Sequence, residues 1–75
     1  MDKTTAEVVI EMLQDSLVLD EVTTAMKLRD DLGMDSLDIV DLEIWVSDHY
    51  RKDIDLGGAL TVQDAINICE EAAKS

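Results

Sequence analysis

The segment Asp38 to Tyr50 contains no glycine or proline and sets its apolar residues at helical spacing. This long periodic run limits the fold more than any other feature of the chain. At 100° per residue, Ile39, Leu42, Val46 and Tyr50 share one side of a helix. Leu37, Val40 and Ile44 share roughly the opposite side. A bundle helix needs only one such stripe. The second is either a further core face or a surface left in water. In a chain of 75 residues we expect the surface, because an apolar patch fenced by Asp38, Asp41 and Asp48 suits docking to a basic partner.

The other elements read around this helix, which we place from Ser36 to about Tyr50. Thr4-Thr5-Ala6-Glu7 has the form of a capping box, and Val9, Met12, Leu13 and Leu17 follow at helical spacing. A first amphipathic helix ending near Leu17 is expected. Val18 to Lys27 has no sustained period and reads as a long loop, with Leu28 and Leu32 pegging it to the core. Such loops are uncommon in small domains and tend to be functional. Arg51-Lys52 sets two cations at the C-terminal end of the second helix. Ile54 to Leu60 holds Gly57-Gly58 and allows one helical turn at most. Thr61, with Asp64 in the box position, caps a last helix whose inward stripe is Val62, Ala65, Ile66, Cys69 and Ala72. The fold class is all-α: a small antiparallel bundle of three main helices plus a vestigial turn, in one domain over 1–75.

Composition narrows the function. There is no Phe, and Trp45 and Tyr50 are the only aromatics, so the core is aliphatic, as helical bundles favour. A net charge of −12 repels nucleic acid and anionic membranes and points to basic protein partners. One cysteine, Cys69, excludes an internal disulfide; on the last stripe it is expected to be buried and inert. Met1 to Thr4 has no apolar leader, and no run approaches membrane-spanning length. The expectation is a freestanding cytoplasmic monomer.

Gly33-Met34-Asp35-Ser36-Leu37 stands at the entry to the long helix. Gly33 suits a sharp turn, and either Asp35 or Ser36 can cap the first helical turn. The Ser36 hydroxyl is therefore a plain cap or a point of covalent attachment. No histidine base or oxyanion donor accompanies it, so it is a poor enzymatic nucleophile but can serve as a substrate. Leu32-Gly33-Met34-Asp35-Ser36-Leu37-Asp38 resembles the signature of the acyl carrier proteins. The likeness extends to Thr61-Val62-Gln63-Asp64-Ala65-Ile66 and covers essentially the whole chain. It implies a four-helix carrier fold and 4′-phosphopantetheine on Ser36, moved from coenzyme A by a phosphopantetheinyl transferase. It also implies that Asp35, Leu37, Asp38, Val40, Asp41, Ile44 and Asp48 meet the basic surfaces of acyl-transferring, ligating or condensing enzymes. The chain would then be a carrier in fatty acid, polyketide or related synthesis, and no enzyme itself.

Three features depart from that family. Ile54–Leu60 is short, Glu43 stands where an apolar residue is common, and Trp45 replaces a small one. Glu43 lies about 40° from Ile39 on the wheel, at the edge of the inward stripe. The family shelters its cargo in a cavity beside the inward stripe of this helix, so a Glu43 facing that cavity favours a short or polar cargo over a long saturated chain; a Glu43 turned outward to water says nothing about cargo. The rivals are an aminoacyl or peptidyl carrier and a non-covalent acidic adaptor in which Ser36 is only a cap. His49 with Cys69 makes no zinc site, and Asp53 to Asp64 is a poor calcium loop because Gly57 takes a ligand position.

Overall fold

The computed structural model describes residues 4–74. Its elements are α1 (Thr5–Leu17), α2 (Ser36–Tyr50) and α3 (Val62–Lys74), with no strand among the described residues. The helix limits agree with those expected from the periodicity.

Each helix begins at a side-chain cap. Thr4 accepts from the Glu7 amide at 3.2 Å, satisfying one orphan donor of α1. The expected box is only half formed, because the Thr4 hydroxyl, and not the Thr4 amide, bonds the Glu7 carboxylate at 3.2 Å. At α3 the reciprocal pair is complete: Thr61 Oγ1 accepts from Asp64 N at 3.1 Å, and Asp64 Oδ2 accepts from Thr61 N at 3.2 Å. The same carboxylate oxygen takes the Leu60 amide at 3.1 Å. Those backbone bonds hold the Asp64 carboxyl below its ordinary pKa.

Helix ends are less conventional. Val18 closes α1 at φ 54° and Arg51 closes α2 at φ 56°, both left-handed positions that glycine usually fills. Arg51 is thus the cap residue itself as well as a cation near the helix dipole.

The core is one aliphatic cluster. Val9 and Leu13 of α1, Val46 of α2 and Val62, Ile66 and Cys69 of α3 are fully or almost fully buried. Two loop residues reach equally deep, Leu28 and Leu56. Leu28 is the expected peg, whereas Leu32 is only half-buried and Met34 sinks in its place. The connection from α1 to α2 is anchored to the start of α3 by a single antiparallel bridge, Lys27 to Thr61. Leu28 N donates to Leu60 O at 3.0 Å, and Val62 N donates to Met26 O at 2.9 Å. The loop therefore shares the backbone bonds that a sheet edge would make.

Residues 51–60 form no helix; Ala59 N bonds Leu56 O at 3.0 Å across a turn containing both glycines. Asp55 Oδ1 accepts from Gly57 N at 2.8 Å and sets the turn from within. Ile54, Leu56 and Ala59 face the core from this short link. Of the helix pairs, α1 with α3 is the closest, α2 meets α3 more sparingly, and α1 and α2 approach least. No helix among the described residues is long and apolar enough to cross a membrane.

Candidate functional site at the start of α2

Gly33 enters α2 at φ 69°, a left-handed conformation closed to most side chains, so the chain can turn abruptly after the 27–32 loop. That loop is itself tightened by Asp31, whose Oδ2 accepts from Lys27 N at 2.7 Å. Met34 N reaches Leu28 O at 3.0 Å, and the Met34 side chain is buried. Together these contacts fix where the helix begins.

Of the two capping candidates, the structure selects Asp35. Its Oδ1 accepts from Asp38 N at 2.9 Å, and Asp38 Oδ2 accepts from Asp35 N at 3.2 Å. The box is made by two carboxylates, which also suit the positive end of the helix dipole. Ser36 is the first helical residue and not the cap. Its side chain is exposed, and its hydroxyl bonds to nothing among the described residues. Ser47 differs: its hydroxyl accepts from Ile54 N at 3.1 Å and donates to Ile54 O at 3.4 Å. Ser75 lies outside the described residues.

The two stripes of α2 separate as their angles require. Ile39, Leu42 and Val46 are buried. Leu37, Val40 and Ile44 stand 73%, 45% and 62% exposed. Asp41 and Asp48 are exposed beside them, and Asp38 is half-buried at the edge. All the expected docking residues except Asp35, which precedes the helix, therefore lie on α2, with Ser36 at one end of the surface.

Sequence reasoning missed a third side of this helix. Between the exposed and buried stripes, on the flank towards α1, lie Trp45 and His49. Their rings stack at 5.4 Å with 12° between planes, and His49 meets Tyr50 edge-on at 4.7 Å. Trp45 forms a wall of two clefts between α1 and α2. One is shallow, about 490 Å³, and runs past Val8, Glu11 and His49. The other, about 260 Å³, adjoins the start of α2. Its apolar lining is Met12, Leu13, Met34, Leu42 and Trp45, and its acidic lining is Asp15, Asp38 and Asp41.

Glu43 lines neither cleft. It is about 160° from Trp45 round the helix, on the opposite flank of the buried stripe. Of the two settings open to Glu43, beside a cavity or turned away from it, these clefts fit the second, since the openings follow the loose α1–α2 contact. The large Trp45 was visible as a sequence oddity, but which neighbour it would face was not.

Cys69 is fully buried on α3, and loss of hydration pushes its thiol up to about 11. It is a core residue, far from thiolate chemistry at neutral pH.

No protein-family model matches the chain, and no solved structure matches it either.

Proposed function

We propose that this chain is an acyl carrier protein, one carrier domain over 1–75, that bears 4′-phosphopantetheine on Ser36. The observation that supports this most is the unoccupied hydroxyl: Asp35 and Asp38 already cap the helix, so Ser36 has no structural task there. The adaptor reading explains Ser36 as a cap and loses its reason for the serine. The residues present suit the prosthetic group, because an exposed hydroxyl at a helix N-terminus leaves a phosphodiester in solvent near the favourable end of the dipole.

In the loading reaction the Ser36 oxygen attacks the phosphorus nearer the pantetheine in coenzyme A. A serine–phosphate bond forms, the pyrophosphate P–O bond breaks, and adenosine 3′,5′-bisphosphate leaves. A separate transferase supplies Mg²⁺ and the base that takes the hydroxyl proton. Once attached, the arm offers a terminal thiol that holds an acyl group as a thioester. The protein contributes tethering, which raises the effective concentration of cargo at each partner enzyme. Leu37, Val40 and Ile44 form the apolar part of the docking surface, and Asp35, Asp38, Asp41 and Asp48 select basic partners. In this reading the turn at 56–59 is what remains of the short third helix of a four-helix carrier, and the protein works as a cytoplasmic monomer.

Co-expression with a broad-specificity phosphopantetheinyl transferase, followed by intact mass, tests the proposal. The wild type should gain one phosphopantetheine, and Ser36→Ala should gain none while folding normally. A wild type that resists every transferase returns the chain to the adaptor reading.

A further inference from the structure

The start of α3 lies against the loop that leads to Ser36, and its first amides are used there. A helix start leaves its first N–H groups without partners inside the helix. Here Val62 N donates to Met26 O at 2.9 Å, and Gln63 N donates to Thr24 O at 3.0 Å. The peptide group between Leu60 and Thr61 extends the same seam. Its carbonyl accepts from Leu28 N at 3.0 Å, and its N–H donates to Asp64 Oδ2 at 3.2 Å. Leu60 N meets that same carboxylate oxygen at 3.1 Å. The Leu60 side chain is 72% exposed, so backbone bonds and not its own packing aim this carbonyl at Leu28. Leu28 O in turn accepts from Met34 N at 3.0 Å, two residues before Ser36. A peptide group bonded on both sides is polarised and held in orientation.

We infer that Asp64 is a positioning residue for Ser36: its carboxylate fixes the Leu60–Thr61 peptide and, through Leu28 and Met34, the turn that presents the serine. This inference rests on the carrier reading of Ser36. Asp64 stands outside the docking surface, which comprises Asp35 and residues of α2, so its effect runs through the backbone. The amides that lower its pKa also keep the carboxylate ionised and accepting at neutral pH. The rival account holds the turn by side-chain packing alone, since Leu28 and Met34 are both buried. Packing alone would leave Ser36 indifferent to Asp64.

Loading of Ser36 by a phosphopantetheinyl transferase and amide hydrogen exchange together test this. Asp64→Ala removes the acceptor of both amides, and Asp64→Asn keeps an acceptor oxygen without the charge. Thr61→Ala weakens the same helix start but leaves the seam of backbone bonds in place. In Asp64→Ala, kcat/KM for loading should fall about fivefold under conditions where every variant is folded. Met34 N–H should exchange about tenfold faster relative to the amides inside α1. Thr61→Ala should load like the wild type, and Asp64→Asn should recover most of the loss. In the wild type itself, the amides of Leu28, Met34 and Thr61 should share one protection as a single opening unit, a measurement that needs no variant to fold. Independent opening of Met34, normal loading of Asp64→Ala, or an equal loss in Thr61→Ala overturns this inference alone. Loading of Asp64→Asn as slow as that of Asp64→Ala does so too, since the charge would then be a partner contact. A wild type whose mass never changes removes the carrier reading and this inference with it.

Discussion

Helices α2 and α3 are similar in length, and each starts with a reciprocal capping pair, yet they use their side chains differently. On α3 the Thr61 hydroxyl is occupied by the cap, and the apolar residues form one inward stripe. On α2 two carboxylates make the cap, the neighbouring hydroxyl is left over, and a second apolar stripe faces water. Folding needs what α3 does. The surplus on α2 has no role within the described residues, and it is on this surplus that the proposed docking surface and attachment point rest.

Substitutions along the two stripes of α2 should separate most. Ile39→Ala removes a buried side chain and should cost about 3 kcal/mol in denaturant unfolding. Ile44→Arg should change stability by no more than about 0.5 kcal/mol, since Ile44 stands in solvent, while weakening transfer of the arm to Ser36. Gross unfolding of Ile44→Arg would make the second stripe part of the core and erase the contrast.

The entry to α2 gives the next effect. An added Cβ at Gly33 meets nothing within 4 Å, so Gly33→Ala isolates the backbone cost of its left-handed φ. A loss of about 1.5 kcal/mol is expected. No loss would mean that the turn before Ser36 relaxes freely.

The capping contrast can be measured directly. Thr61→Ala should cost about 1 kcal/mol, because an Asp64 amide loses its acceptor. Ser36→Ala should be close to neutral, with alanine favoured slightly in a first turn. Equal costs at the two positions would make Ser36 a structural residue after all.

Cys69 tests whether α3 is as closed as its single stripe implies. A thiol reagent at pH 8 should label the unfolded chain quickly and the native protein only through opening. The folded thiol titrates near 11, above its unfolded value. Its stabilising contribution is therefore complete below the unfolded pKa, near 8.5, and is lost as pH rises towards about 11. Fast native labelling would place Cys69 on the surface.

The smallest effect belongs to the α3 cap in acid. Asp64 has a lowered pKa in the folded state, because it accepts backbone bonds from Leu60 and Thr61. Its contribution is present above the unfolded value, near 3.9, and disappears as pH falls through the folded one. Asp64→Asn should flatten the stability profile below about pH 4. An unchanged profile would assign the acid sensitivity elsewhere.

Periodicity alone located all three helices and divided α2 into Ile39–Leu42–Val46 inward and Leu37–Val40–Ile44 outward, because those patterns depend on 100° per residue and on nothing distant. It also placed Cys69 inside; Ser36 stood out through the motif Gly33-Met34-Asp35-Ser36-Leu37 and the resemblance that motif carries. Three matters needed the folded chain. Asp35 and not Ser36 caps α2, since two residues with similar capping power are distinguished only by backbone angles set from Gly33 and the buried Met34. Met34, in place of Leu32, anchors the loop, because a stretch without a period has no face to read. The clefts open on the Trp45 flank and leave Glu43 aside, because α1 lies against α3 and only loosely against α2. A wheel gives the angle of every residue on one helix; which neighbour stands at that angle, and how closely, is decided by how three helices share a single core.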